Sequence, residues 1–178
     1  YYKNPQATAE AIDDDNWLHT GDIGMLDDEG FLAITDRKKN IIVTSGGKNV
    51  TPATIENALI TSPYIEQVMV IGDKRKYLSA LIVPTFDAIK NYAQSKNISF
   101  KDREVLINSP EIYNLLGTEI QRLSADLARF EQIKRYTLLP QEFTIENGEI
   151  TPSLKSKRKV VAEKYAVLID KMYEETDD

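Results

Sequence analysis

Cysteine is absent from this 178-residue sequence, and histidine occurs once, as His19. No disulfide, thiolate nucleophile or cysteine metal site is therefore available, and neither a histidine metal cluster nor a Ser-His-Asp triad can be assembled within the chain. No apolar run approaches the roughly 18 residues that a membrane-crossing helix requires. Residues 1–10 do not read as a signal peptide. The expectation is a soluble, cytoplasmic protein. Basic residues are outnumbered, 22 Lys and Arg against 28 Asp and Glu, for a net charge of −6. That argues against a general nucleic-acid binder, which needs a basic face to displace counterions from phosphates. The chain begins without methionine, in the middle of a polar phrase, which predicts a fragment of something longer.

Apolar residues, by contrast, are plentiful. They make up 42% of the sequence and are spread along it, enough to bury a core and exclude global disorder. The length fits one domain, or one domain plus a piece of another. Residues 1–16 predict a short helix and a loop. Trp17 to Leu26 and Phe31 to Thr35 flank the turn Asp27-Asp28-Glu29-Gly30 and predict a β-hairpin. After the charged break Asp36 to Asn40, Ile41 to Thr44 reads as a third strand, with a glycine loop at Ser45-Gly46-Gly47-Lys48.

Thr51-Pro52 predicts a helix start, with threonine as N-cap and proline in the first turn. Strands are expected at Gln67 to Ile71 and Leu78 to Val83, and a helix over 86–94. Ser109-Pro110 repeats the cap signal, and apolar residues then recur at helical spacing from Ile112 to Phe130. Tyr136 to Leu139 and Phe143 to Ile145 predict short strands. A final helix is expected from Lys157 to about Glu174. The whole predicts an α+β fold, a small mixed sheet with packed helices, preceded by a separate β-hairpin segment.

Three phrases could carry chemistry. In Thr20-Gly21-Asp22, a carboxylate beside glycine suits the vicinal hydroxyls of a ribose; a plain turn would also explain it. Asp36-Arg37-Lys38-Lys39-Asn40 through Ser45-Gly46-Gly47-Lys48 is not a Walker phosphate loop, because Asn49 follows the lysine. A solvated charged turn is the plainer reading. In Asn147 to Lys159 a turn feeds a run of basic residues centred on Lys155. A lysine there can meet a phosphate and a carboxylate together, or simply begin a surface helix.

The order of these phrases is more specific than any one of them. Trp17 to Asp22, Asp36 to Ile42, Ser45 to Pro52 with Ile55-Glu56, and the late lysine phrase together resemble the adenylate-forming superfamily. The wording Ser-Gly-Gly-Lys-Asn, the helical insertion around Ser109 to Phe130, and Thr-Pro-Ser-Leu-Lys-Ser-Lys-Arg resemble its long-chain fatty-acid–CoA ligases most. One departure stands out: Leu154 occupies the position before the lysine where the family usually has glycine.

The resemblance implies a ligase that joins a fatty acid to coenzyme A in two steps. ATP is consumed with Mg2+, and an acyl-adenylate forms between the steps. Residues 1–35 would be the tail of a large amino-terminal domain, and 36–178 a mobile lid hinged at Asp36. The acyl pocket and phosphate loop of such enzymes lie in the large domain, so the chain alone should be inactive. Asp22 would hold the ribose, Arg37 would contact the nucleotide, and Lys155 would be the catalytic lysine. Gly46 and Gly47 would line the pantetheine tunnel; no residue is assigned to a metal. The expected partners are the large domain, fatty acid, ATP and CoA, with peripheral membrane contact left open and no nucleic acid. Loading of an acyl carrier protein, arrest at the adenylate, and a non-catalytic interaction module remain as alternatives.

Overall fold

A computed structural model describes residues 1–153 and 155–174. Leu154, the departure noted in the sequence, lies outside the described residues. The chain forms two compact units, Tyr1–Ile41 and Ile42–Asp178, and Asp36 belongs to the first.

The first unit opens with helix α1, Pro5–Ala11, whose N-cap Asn4 accepts a hydrogen bond from the Ala7 amide at 3.0 Å. Strands β1 (Asp22–Leu26) and β2 (Leu32–Arg37) then pair antiparallel, with Asp22 opposite Arg37. The turn between them is held by Asp27, whose Oδ1 accepts from the amides of Glu29 (3.0 Å) and Phe31 (2.8 Å). Gly30 closes it at a φ of +87°, a conformation that costs glycine nothing. A single 3-10 turn, Lys38–Asn40, follows β2.

The second unit is the α+β body expected from the sequence. A two-residue ladder, β3 (Ile42–Val43) with β4 (Asn49–Val50), carries the glycine turn at its tip. Helix α2 (Pro52–Leu59) follows; Thr51 stands at its N-cap but makes no side-chain capping bond. The main sheet has the order β5-β6-β7, from Ile65–Ile71, Leu78–Pro84 and Ile133–Leu138. It is mixed: β5 pairs antiparallel with β6, and β6 parallel with β7. All seven residues of the central strand are buried, so the sheet is covered on both faces there.

Helices α3 (Phe86–Ser95), α4 (Arg103–Ile107) and α5 (Pro110–Leu123) fill the crossover between β6 and β7. Ile112, Leu116 and Ile120 form the buried stripe of α5. Its N-cap Ser109 accepts from the Ile112 amide, as the Ser-Pro signal predicted.

Strand β1 begins at Asp22 rather than Trp17, and four further elements differ from expectation. Helix α5 stops at Leu123 rather than running toward Phe130; at its C-cap, Ser124 donates through both its amide (3.0 Å) and its hydroxyl (2.6 Å) to the Ile120 carbonyl. The short helix α4 was not anticipated, although Asp102 caps it by accepting from the Val105 amide. Phe143 to Ile145 forms no strand. The side chain of Gln67 instead takes both backbone groups of Phe143, accepting from its amide at 2.6 Å and donating to its carbonyl at 3.2 Å. The final helix is two, α6 (Arg158–Lys164) and α7 (Ala166–Lys171), interrupted at Tyr165. No helix among the described residues is long and apolar enough to cross a membrane.

Candidate functional site

In the first unit the antiparallel register brings the ends of β1 and β2 together. Arg37 Nε lies 2.8 Å from Asp22 Oδ1. The Asp22 amide donates to the Thr20 hydroxyl at 3.1 Å, and Gly21 takes a φ of +73° between them. Thr20, Gly21, Arg37, Lys38 and Lys39 line an open cavity of about 410 Å3 beside this pair. A carboxylate flanked by three cations suits an anionic nucleotide whose ribose faces the carboxylate. Next to it, Asp36 Oδ1 accepts from the Arg37 amide (2.6 Å) and from Asn40 Nδ2 (3.0 Å). Its other oxygen is buried and has no partner among the described residues.

In the second unit Gly46 and Gly47 lie on the exposed turn between β3 and β4. Gly47 has a φ of +73°, and its amide donates to the Thr44 carbonyl at 2.9 Å. A side chain at Gly47 would meet no atom within 4 Å, and one at Gly46 only the Thr44 hydroxyl at 4.0 Å, so within this unit the turn projects into open space. Lys48, next along, sits over the ring of Phe130 at 5.6 Å.

Lys155 sits near the tip of a second, smaller hairpin. The Lys157 amide donates to the Glu149 carbonyl (2.7 Å), Ile150 bridges Ser156, and Thr151 and Lys155 close the end. Thr151 clamps Lys155 twice. Its amide donates to the Lys155 carbonyl (2.8 Å), and its hydroxyl accepts from the Lys155 amide (3.0 Å). The backbone of the lysine is thus held while its side chain is exposed and, among the described residues, carries no ion pair. Among the described residues no hydrogen bond joins this loop to the Gly46–Gly47 turn, which is a separate loop of the same unit.

Two braces fix the base of the hairpin, and neither role was read from the sequence. Glu149 is fully buried at 0% exposure. One carboxylate oxygen accepts from Lys164 Nζ (2.8 Å) and the Tyr165 hydroxyl (3.1 Å), the other from the Thr144 amide (3.0 Å). On the exit side, Arg158 lies 2.6 Å from Glu56 and also donates to the Val70 carbonyl, while Glu56 accepts from the Val70 amide at 2.8 Å. An acidic residue directly after the Asn-Gly turn was the available signal for Glu149. The partner of Arg158 is 102 positions away and leaves no local trace.

Burial pushes the Glu149 carboxyl up, but the hydrogen bonds from Lys164, Thr144 and Tyr165 outweigh it and hold the group below its ordinary 4.5. The same contact with Glu149 raises Lys164. A depressed carboxyl confers stability that is complete above the unfolded value and is lost as pH falls through the folded one. Urea midpoints of the wild type are therefore expected to fall more steeply below about pH 4.5 than those of Glu149→Gln. Parallel acid dependence in the two proteins would show that Glu149 makes no such contribution.

Among the described residues no group of three or more His, Cys, Asp or Glu side chains lies close enough to hold a metal ion. The first unit presents the Asp22–Arg37 pair, and the second unit presents a glycine turn and, on a separate loop, an exposed lysine.

The chain belongs to the AMP-binding enzyme C-terminal domain family, whose model matches residues 39–177. It is 41% identical over 175 residues to the long-chain-fatty-acid–CoA ligase FadD15 of Mycobacterium tuberculosis, covering 97% of this chain and 29% of that one. It is 38% identical to the long-chain-fatty-acid–CoA ligase ACSBG1 of Rattus norvegicus, covering 98% and 27%. Among solved structures it resembles the adenylation domain of a carboxylate reductase from Mycobacterium chelonae, with a TM-score of 0.79 and 29% identity over 97% of this chain and 25% of that one. A carboxylic acid reductase didomain from Segniliparus rugosus, in complex with AMP, gives 0.78 and 31% over 97% and 23%. The chain thus spans under a third of the length of these relatives.

Proposed function

We propose that this chain is the carboxy-terminal part of an ATP-dependent long-chain fatty-acid–CoA ligase, with an amino-terminal domain supplying the acyl pocket. The observation that carries this reading is Lys155, clamped by its backbone at a braced hairpin tip with its ammonium group unpaired among the described residues. It lies in a chain whose relatives at about 40% identity bear that name.

In the first step a fatty-acid carboxylate attacks the α-phosphorus of ATP, an acyl–phosphate bond forms, and pyrophosphate leaves. Lys155 donates to the carboxylate and the α-phosphate as negative charge gathers between them. Asp22 receives the ribose hydroxyls through the carboxylate oxygen that Arg37 does not occupy, and Arg37 lies beside the nucleotide. In the second step the thiol of coenzyme A attacks the acyl carbonyl of the adenylate, the thioester forms, and AMP departs. Gly46 and Gly47 line the route of the pantetheine arm, where a side chain would narrow the passage. Between the steps the lid turns about Asp36, whose unpartnered oxygen leaves it an acceptor to spare in either orientation. Mg2+ is assigned to the nucleotide phosphates and to no residue of this chain.

Fatty-acid-dependent ATP–pyrophosphate exchange by the full-length protein, across several acyl lengths and followed by addition of CoA, tests the reading. Exchange driven by long-chain acids, with acyl-CoA as product, is expected; residues 1–178 alone should form none. Exchange without acyl-CoA would favour a carrier-protein acceptor or arrest at the adenylate. No exchange with any fatty acid would overturn the fatty-acid reading.

A further inference from the structure

We propose that Glu149 is a positioning residue for the adenylation step, acting through the hairpin that presents Lys155. The inference rests on the function proposed above and assigns a role to a group that the chemistry itself does not touch.

A carboxylate removed entirely from solvent is costly unless its oxygens are satisfied by charged or strong donors. Glu149 is satisfied on both oxygens, by Lys164, Tyr165 and the Thr144 amide. What distinguishes it from an ordinary buried ion pair is its place in the chain. It is the first residue of the small hairpin: its carbonyl receives the Lys157 amide, Ile150 and Ser156 pair next, and Thr151 and Lys155 close the tip. Gly148 immediately before it takes a φ of +73°, a turn that brings the strand in at a set angle. The side chain of Glu149 therefore anchors the root of the strand whose far end fixes the Lys155 backbone. Its three donors come from the preceding loop, the last turn of α6, and the break between α6 and α7. One carboxylate ties together the three segments that determine where the hairpin stands.

This arrangement also accounts for the interruption of the final helix. Tyr165 leaves helical geometry at φ −103° and ψ 20°, with its hydroxyl on Glu149 and its ring edge-on to Phe143 at 6.0 Å. A continuous helix would carry that hydroxyl elsewhere.

A displacement of a catalytic group by about 1 Å can cost on the order of 100-fold in rate. Glu149→Gln keeps the shape but removes the charge that holds Lys164. It is expected to tilt the hairpin root and lower adenylation by about tenfold, as a partial form of that displacement. The readout that separates positioning from general folding is the split between the two half-reactions. Lys155 serves only the first, so a positioning residue for it lowers ATP–pyrophosphate exchange and spares thioester formation from supplied acyl-adenylate and CoA.

The experiment measures both half-reactions in the full-length enzyme for Glu149→Gln, Tyr165→Phe and Lys155→Ala, with thermal midpoints alongside. Tyr165→Phe removes one hydrogen bond at little risk to folding, and carries the test if Glu149→Gln does not fold. A selective loss of exchange, about tenfold for Glu149→Gln and smaller for Tyr165→Phe, with thioester formation within twofold of wild type, supports the proposal. Equal loss in both half-reactions, or loss in neither, overturns it. If Lys155→Ala itself retains exchange, the function proposed for the site has failed, and this inference fails with it. If Lys155→Ala loses exchange while Glu149→Gln and Tyr165→Phe do not, only the positioning role has failed.

Discussion

Lys155→Ala in the full-length enzyme is expected to lower fatty-acid-dependent ATP–pyrophosphate exchange by about 10²–10³-fold, the cost of removing one donor aimed at developing charge. ATP binding should be retained, because the lysine meets the α-phosphate most strongly when a carboxylate is being joined to it. Thioester formation from supplied acyl-adenylate should change little. Lys155→Arg is not expected to restore the activity, since a planar, five-donor guanidinium does not replace a compact ammonium that must lie between two oxygens. Stability should be almost unaffected, as the side chain is exposed and the hairpin is held by backbone and by Thr151. Normal exchange by the alanine variant would remove Lys155 from the mechanism.

Glu56→Ala is expected to destabilise the second unit by about 3 kcal/mol, because it strips a largely buried guanidinium of its counter-charge. Glu56 and Arg158 side chains are 19% and 23% exposed, which places the loss at the low end for a broken buried pair. The same substitution leaves the Val70 amide, in the edge strand β5, without its acceptor. For a protein of this size the change corresponds to a drop of about 6–12 °C in the thermal midpoint. Arg158→Met should cost a similar amount, since it leaves the Glu56 carboxylate without its counter-charge and the Val70 carbonyl without a donor. A thermal midpoint for Glu56→Ala within 2 °C of wild type would show that water readily replaces the lost partner.

The architecture was legible where a local rule decides it. Asp27 and Gly30 set the hairpin turn, Ser109-Pro110 set the start of α5, and alternating or continuous apolar runs marked β5 and β6. Expectation failed where a side chain from elsewhere took over the backbone, as Gln67 does at Phe143. It also failed where helical periodicity outlasted the helix: Leu127 and Phe130 continue the spacing of α5, but the helix ends at Leu123. The site divides the same way. Asp22, Arg37 and Lys155 stood in short phrases of fixed order, and the structure places the first two in direct contact. The braces of Lys155 were invisible because their meaning lies in pairings across space, Glu149 with Lys164 and Tyr165, and Arg158 with Glu56.

Those two braces differ in reach, and the difference sets what each costs in chain entropy. Every partner of the Glu149 carboxylate lies within 16 residues of it in the chain, whereas Arg158 must find groups 88 and 102 residues away. Closing short loops costs less entropy than closing long ones. Closing the lysine loop on its own brace therefore costs less chain entropy than fixing that loop to β5 and α2.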